Sequence, residues 1–172
     1  HKLQPTSQSA YFLYRLNASR GNVDEALSYI SEALAYTDLE TETAADYNYE
    51  AAAFCVKNGR NPQAITFAEK AKELSSSYAG KVYFLIGTIW GATSCGGDEI
   101  SRRAPYWVAV DYMERAKAAD ASLAEDCNRM ISQYRVYYPQ TAEAFMYNLT
   151  DGQSYTVSCG GMRATTTVRT QK

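Results

Sequence analysis

Apolar residues recur at helical spacing in three segments that share one pattern: G21-NVDEALSYISEALAYTD, G59-RNPQAITFAEKAKELSS and A104-PYWVAVDYMERAKAADA. Each carries an alanine followed seven residues later by a second: Ala26 and Ala33, Ala64 and Ala71, Ala109 and Ala116. Seven residues is nearly two helical turns, so each pair lies on one face. Small side chains there let a neighbouring helix approach closely, and Tyr29, Phe67, Tyr112 and Met113 stand among them. The pattern predicts three amphipathic helices, each with a small-residue seam. Start and stop signals agree. Asn61-Pro62 reads as an N-cap and first helical residue, and Pro105 as the opening of the third helix. Gly21 and Gly59 read as left-handed residues that close the helices before them.

Those earlier helices are SAYFLYRLNASR, AADYNYEAAAFCVKN and SYAGKVYFLIGTIWGAT, over 9–20, 44–58 and 77–93. Each repeat is therefore helix A, a tight turn and helix B, over 7–40, 44–76 and 77–121. Such a hairpin cannot bury its apolar face alone and is expected to stack on its neighbours. Between Trp90 and Tyr106 the stretch GATSCGGDEISRRAP interrupts the third repeat. It predicts a projecting surface loop over 94–104, either a tolerated decoration or a contact for the tail or a partner. A closing helix follows over 122–137, with Ser122 and Glu125 as its capping box. In the tail, 138–172, the period changes: Y155-TVSCGGMRATTTVR is β-branched around Gly160-Gly161 and predicts a two-stranded hairpin. A lone hairpin is marginal in water, so it is expected to pack back on the last helices.

The repeated Ala places, together with Tyr83, Ile86, Gly87 and Trp90, resemble the tetratricopeptide repeat family, whose unit is about 34 residues. The first two repeats depart from its pattern, with Tyr14 and Ala52 at the glycine place and Asn17 and Cys55 at an aromatic one. The resemblance implies an all-α fold: a right-handed solenoid of three hairpins in one domain over 1–172, with a capping helix and a small C-terminal β-hairpin. From Gly87 to Ala109 is 22 residues, against about 12 in the family's spacing, which places the extra residues in the turn of the third repeat. The region from CGGDE through the SYTVSCGG…TTTVR tail is also similar to the ends of bacterial cell-envelope repeat proteins. That similarity implies a periplasmic or secreted protein and no particular activity.

Composition narrows the function. The chain has 172 residues and a net charge of −2, which gives no electrostatic case for nucleic acid. No apolar run approaches the ~20 residues that cross a bilayer. The first residue is His1 rather than Met, so a processed, truncated or tag-freed chain is expected, with any export signal out of view. The single histidine is that terminal His1, which removes the usual general base. No phosphate-binding glycine motif occurs, and CGGDE lacks the following lysine such a loop needs. The four cysteines show no CxxC or metal-ligand spacing, so neither a zinc site nor another cofactor is expected. Cys55 and Cys127 fall inside apolar helical pattern as buried thiols. Cys95 and Cys159 each neighbour Gly-Gly, and two readings stay open: a disulfide between them, or free thiols in a reducing compartment. The chain is expected not to be an enzyme.

Binding is the remaining class. Stacked hairpins of this family line a concave groove with their A helices. Carried over place by place, the resemblance puts Tyr11, Tyr49 and Phe84 at one groove position and Arg15, Ala53 and Thr88 at the next, with Lys57, Lys81, Gln8 and Asp46 at further places. Aromatic anchors with Arg15, Lys57 and Lys81 would suit a protein or peptide partner bearing acidic groups. The other readings are that these aromatics pack between repeats, or that the chain is an assembly subunit whose groove its own chain fills. A weaker third, a small sugar or peptidoglycan ligand, rests on the tyrosine count alone.

Overall fold

The computed structural model describes residues 4–171; His1, the terminal residue named above, lies outside them. Among the described residues there are eight α-helices and one two-stranded antiparallel sheet, a mostly helical chain ending in a β-hairpin. The chain divides into two compact units, His1–Tyr78 and Ala79–Lys172.

The N-terminal unit is two helical hairpins. The first joins α1 (Ser7–Ser19) to α2 (Val23–Leu34), and the second joins α3 (Thr41–Lys57) to α4 (Asn61–Leu74). A 3-10 turn, Ser76–Tyr78, closes the unit. Gly21 and Gly59 sit between the paired helices at φ 76° and 73°, the left-handed backbone that a side chain disfavours. The alanine seams are fully buried: Ala26 and Ala33 on α2, Ala64, Ala68 and Ala71 on α4. Ala10 on α1 and Ala45, Ala51 and Ala52 on α3 are buried as completely. Such small side chains let paired helices approach closely. Asn61 does not cap α4: it is the first helical residue, Pro62 follows, and Arg60 holds the cap position without a side-chain bond.

The C-terminal unit holds α5 (Ala79–Gly91), α6 (Glu99–Ala119), α7 (Ala124–Arg135), α8 (Thr141–Met146) and the hairpin of β1 (Ser154–Cys159) and β2 (Met162–Thr167). Helices α5 and α6 cross at Gly87, where a methyl group would come within 2.9 Å of Met113 Cε and 3.3 Å of the Ala109 carbonyl. The expected loop over 94–104 is shorter than that: residues 92–98 leave helical form, and from Glu99 onward the chain is α6. Asp98 caps α6, its Oδ1 accepting from the Ser101 amide at 2.7 Å, and Glu99 pairs with Arg103 at 2.7 Å. Ile100, Ala104, Trp107 and Val108 then form a helix-spaced apolar stripe that is 1% exposed or less. Burying that stripe outweighs the bond forgone at Pro105, which lies inside α6 rather than opening it. The capping box at Ser122 is replaced as well. Asp120 accepts from Ser122 N at 3.0 Å in a 3-10 turn, Ala121–Leu123, that leads into α7.

The β-hairpin is in register from Ser154↔Thr167 to Cys159↔Met162, with Gly160 and Gly161 at φ 61° and 77° in its two-residue turn. Period-two alternation aims Tyr155, Val157, Cys159, Met162, Ala164 and Thr166 at one face. That face packs on α6, with the Tyr155 ring edge-on to Trp107 at 5.4 Å. Cys159 is joined to Cys95 by a disulfide, Cα–Cα 5.8 Å, which ties the hairpin's turn to the segment between α5 and α6.

Candidate functional site

In the N-terminal unit the two A helices, α1 and α3, meet through tyrosines. The rings of Tyr11 and Tyr47 stack at 4.2 Å with 4° between planes. The Tyr11 hydroxyl donates to Glu50 Oε2 at 2.5 Å. Tyr14 lies one turn along, its centroid 5.8 Å from Tyr11, and meets Phe54 edge-on. A second cluster joins α3 to the closing 3-10 turn, where Tyr49 packs on Tyr78 at 5.2 Å and the Tyr78 hydroxyl donates to Asp46. Three- and four-residue spacing puts Tyr47, Glu50 and Phe54 on the side of α3 that α1 contacts. Four-residue spacing likewise aligns Glu42, Asp46 and Glu50 into one acidic stripe.

The electrostatics keep these tyrosines neutral. Burial, then the hydrogen bond to Glu50, pushes Tyr11 up to about 12. Burial and then Asp46 push Tyr78 up to about 12. Tyr47 is raised by burial, with Glu50 and Asp46 adding to it. Each hydroxyl that faces a carboxylate therefore stays protonated and donates.

Of the six groove residues expected from the sequence, Tyr11, Arg15, Tyr49 and Lys57 lie in the N-terminal unit and Lys81 and Phe84 in the C-terminal unit. Tyr11 and Arg15 do stand together, the Arg15 guanidinium 6.0 Å from the Tyr11 ring centroid. Tyr49 pairs with Tyr78 instead. Lys57 is exposed in the last turn of α3. Lys81 and Phe84 belong to α5 of the C-terminal unit, exposed and half-buried respectively, and Lys81 helps hold the Asp120 carboxyl low after its Ser122 bonds. Sequence reasoning missed Tyr47 and Glu50, the residues that complete the Tyr11 cluster. It also expected a positive lining. Beside Arg15 on α1 and Lys57 on α3, α3 carries three carboxylates, Glu42, Asp46 and Glu50. The four-residue spacing of Glu42, Asp46 and Glu50 on α3 was the signal that could have drawn Glu50 into the site.

The C-terminal unit has a second polar assembly, between α6 and the tail. Arg169 donates to the Trp107 carbonyl at 2.8 Å and pairs with Asp111. The Thr166 hydroxyl donates to the same carboxylate at 2.5 Å, and Trp107 Nε1 returns a bond to the Arg169 carbonyl at 2.9 Å. Beside it is a cleft of about 870 Å³ lined by Val110, Arg135, Val136, Asp151, Val168 and Gln171, among others. Its polar groups are turned inward: Asp151 accepts from Thr170 at 2.6 Å, and Gln171 donates to the Val136 and Tyr138 carbonyls at 2.9 and 2.8 Å. This assembly holds the tail in place.

Among the described residues, no group of three or more His, Cys, Asp or Glu converges to hold a metal ion, and no helix is long and apolar enough to cross a membrane. Cys55 and Cys127 are buried thiols, and burial pushes Cys55 up to about 11, away from the reactive thiolate. Compared with known proteins, the chain matches no family model and no curated protein.

Proposed function

We propose that this chain is a non-enzymatic, tetratricopeptide-like repeat protein whose A helices line a concave groove that takes a peptide or protein segment. In this reading the three hairpins continue as a right-handed solenoid closed by α7 and the tail. The observation that carries it is the part-exposed tyrosine array on α1 and α3: Tyr11 stacked on Tyr47, with the Tyr11 hydroxyl already set on Glu50. Large, rigid rings with few rotatable bonds lose little entropy on docking and commonly dominate binding energy. The buried alanine seam repeated in Ala26/Ala33, Ala64/Ala71 and Ala109/Ala116 supports the repeat architecture. The Cys95–Cys159 disulfide supports an oxidising compartment, consistent with the cell envelope.

The test is selection from a random peptide library on the full chain, followed by mapping of amide shifts. Selected peptides should move α1 and α3 amides, and Tyr11→Ala with Tyr49→Ala should weaken them about tenfold or more. Peptides that dock elsewhere, or that ignore the double substitution, would refute the reading.

One observation favours an alternative, an assembly subunit whose groove is filled by its own chain. The molecule already folds its own tail against a helix through Arg169–Asp111 and the disulfide. Selection would then fail on the full chain, whereas peptides copied from its own sequence would bind the α1–α3 face.

A further inference from the structure

Resting on that reading, we infer that the segment received by the α1–α3 face is cationic, carrying lysine or arginine side chains at alternate positions. The sequence-based expectation was the opposite charge. Glu42, Asp46 and Glu50 run along α3 one turn apart, each exposed or half-buried. Among the described residues none of the three stands in an ion pair, whereas other carboxylates of the same unit do: Asp24 with Arg60 at 2.9 Å, Glu69 with Lys72 at 2.8 Å, Glu73 with Lys70 at 3.7 Å. The stripe's internal partners are neutral tyrosine hydroxyls. Tyr11 donates to one oxygen of Glu50 and Tyr78 to one of Asp46, which leaves lone pairs on both carboxylates for a further donor.

The aromatic part of the face has the same preference. Tyr11 and Tyr47 stack beside Glu50, and a ring face attracts a cation within about 6 Å of its centroid. Arg15 already stands at 6.0 Å from Tyr11, an internal instance of that attraction. Spacing adds the register. Successive carboxylates four residues apart on a helix are separated by about 6 Å along the axis. Alternate side chains on one side of an extended peptide are about 6.6 Å apart. A Lys–x–Lys–x–Lys strand laid along α3 therefore offers one ammonium per carboxylate. The carboxylates are strung along the helix and do not converge on a point, so they suit a row of separate cations rather than one chelated metal ion.

The experiment uses the full chain and two synthetic probes, an alternating Lys–Ser peptide and its Glu–Ser counterpart, with calorimetry and amide-shift mapping. The Lys–Ser peptide should bind, move α1 and α3 amides, and weaken as salt rises. Asp46→Asn with Glu50→Gln should reduce its affinity about tenfold with the circular dichroism unchanged. Glu125→Gln with Asp126→Asn, the same charge change placed on α7, should leave affinity as it was. Equal or tighter binding of the Glu–Ser peptide, or an Asp46→Asn/Glu50→Gln chain that keeps its affinity, would overturn the inference. If the Glu–Ser peptide moves the α1 and α3 amides, the groove reading stands and the charge inference alone falls. If no library or synthetic peptide reaches those helices, both fall.

Discussion

Reducing the Cys95–Cys159 bond should weaken the C-terminal unit without releasing its hairpin. The bond closes a loop with a sequence separation of 64. In the chain-entropy description, a loop of that length removes enough freedom from the unfolded chain to stabilise the fold by about 4 kcal/mol. In the folded state the hairpin keeps its other ties: Tyr155 on Trp107, Thr166 and Arg169 on Asp111, and the Trp107 indole bond to the Arg169 carbonyl. The loss therefore arises from what the unfolded chain regains. The assay is urea unfolding followed by tryptophan fluorescence, with and without reductant. Both tryptophans of the chain, Trp90 and Trp107, are buried in the C-terminal unit, so the signal reports on that unit alone. With a typical urea slope the midpoint should fall by about 2 M. Cys95→Ala with Cys159→Ala should unfold like the reduced protein, because Cys55 and Cys127 are already free thiols. An unchanged midpoint on reduction would refute the reasoning, as would four titratable thiols instead of two in the unfolded, unreduced chain.

Three further outcomes are expected. Arg169→Met leaves Asp111 with a hydroxyl in place of a charge partner and should cost about 2 kcal/mol by the same urea assay; adding Asp111→Asn should recover part of it. Ala64→Leu places a large side chain at a fully buried helix contact and should cost on the order of 1–3 kcal/mol, read as a lower melting temperature. Tyr11 and Tyr78 lie above their ordinary value of 10.0, raised first by burial, so the stability they contribute is complete below pH 10. It is lost as pH rises towards about 12, where tyrosinate absorbance and loss of helicity should appear together, and Glu50→Gln should move the Tyr11 part of that absorbance to lower pH.

What the sequence revealed follows from which constraints are local. Alanines seven residues apart, Gly21 and Gly59 between helices, and Gly160-Gly161 amid β-branched residues each satisfy a requirement imposed within a few residues, so they can be read directly. Pro105 misled because its preference for a helix start is a local rule. Ile100 and Ala104 overrode it by continuing the apolar stripe of Trp107 and Val108 back by more than a turn. The short helix α8 is six residues long, too brief for periodicity to reveal. At the candidate site the missing information was pairwise. Tyr11 and Glu50 are 39 residues apart, and Asp111 and Arg169 are 58 apart. Nothing in either neighbourhood announces its partner. Glu50 was left out of the expected site for the same reason: it joins Tyr11 only because the fold brings α1 to α3.

The hairpin has a consequence for how the molecule behaves in crowded solution. A sheet of two strands is nothing but edges, and bare edges invite strands from other molecules. Here the side turned away from the helices carries Ser154, Thr156, Ser158, Arg163, Thr165 and Thr167. A visiting strand would find hydroxyls and a positive charge to dehydrate and no aliphatic surface to gain, so the tail can stay uncovered without becoming adhesive.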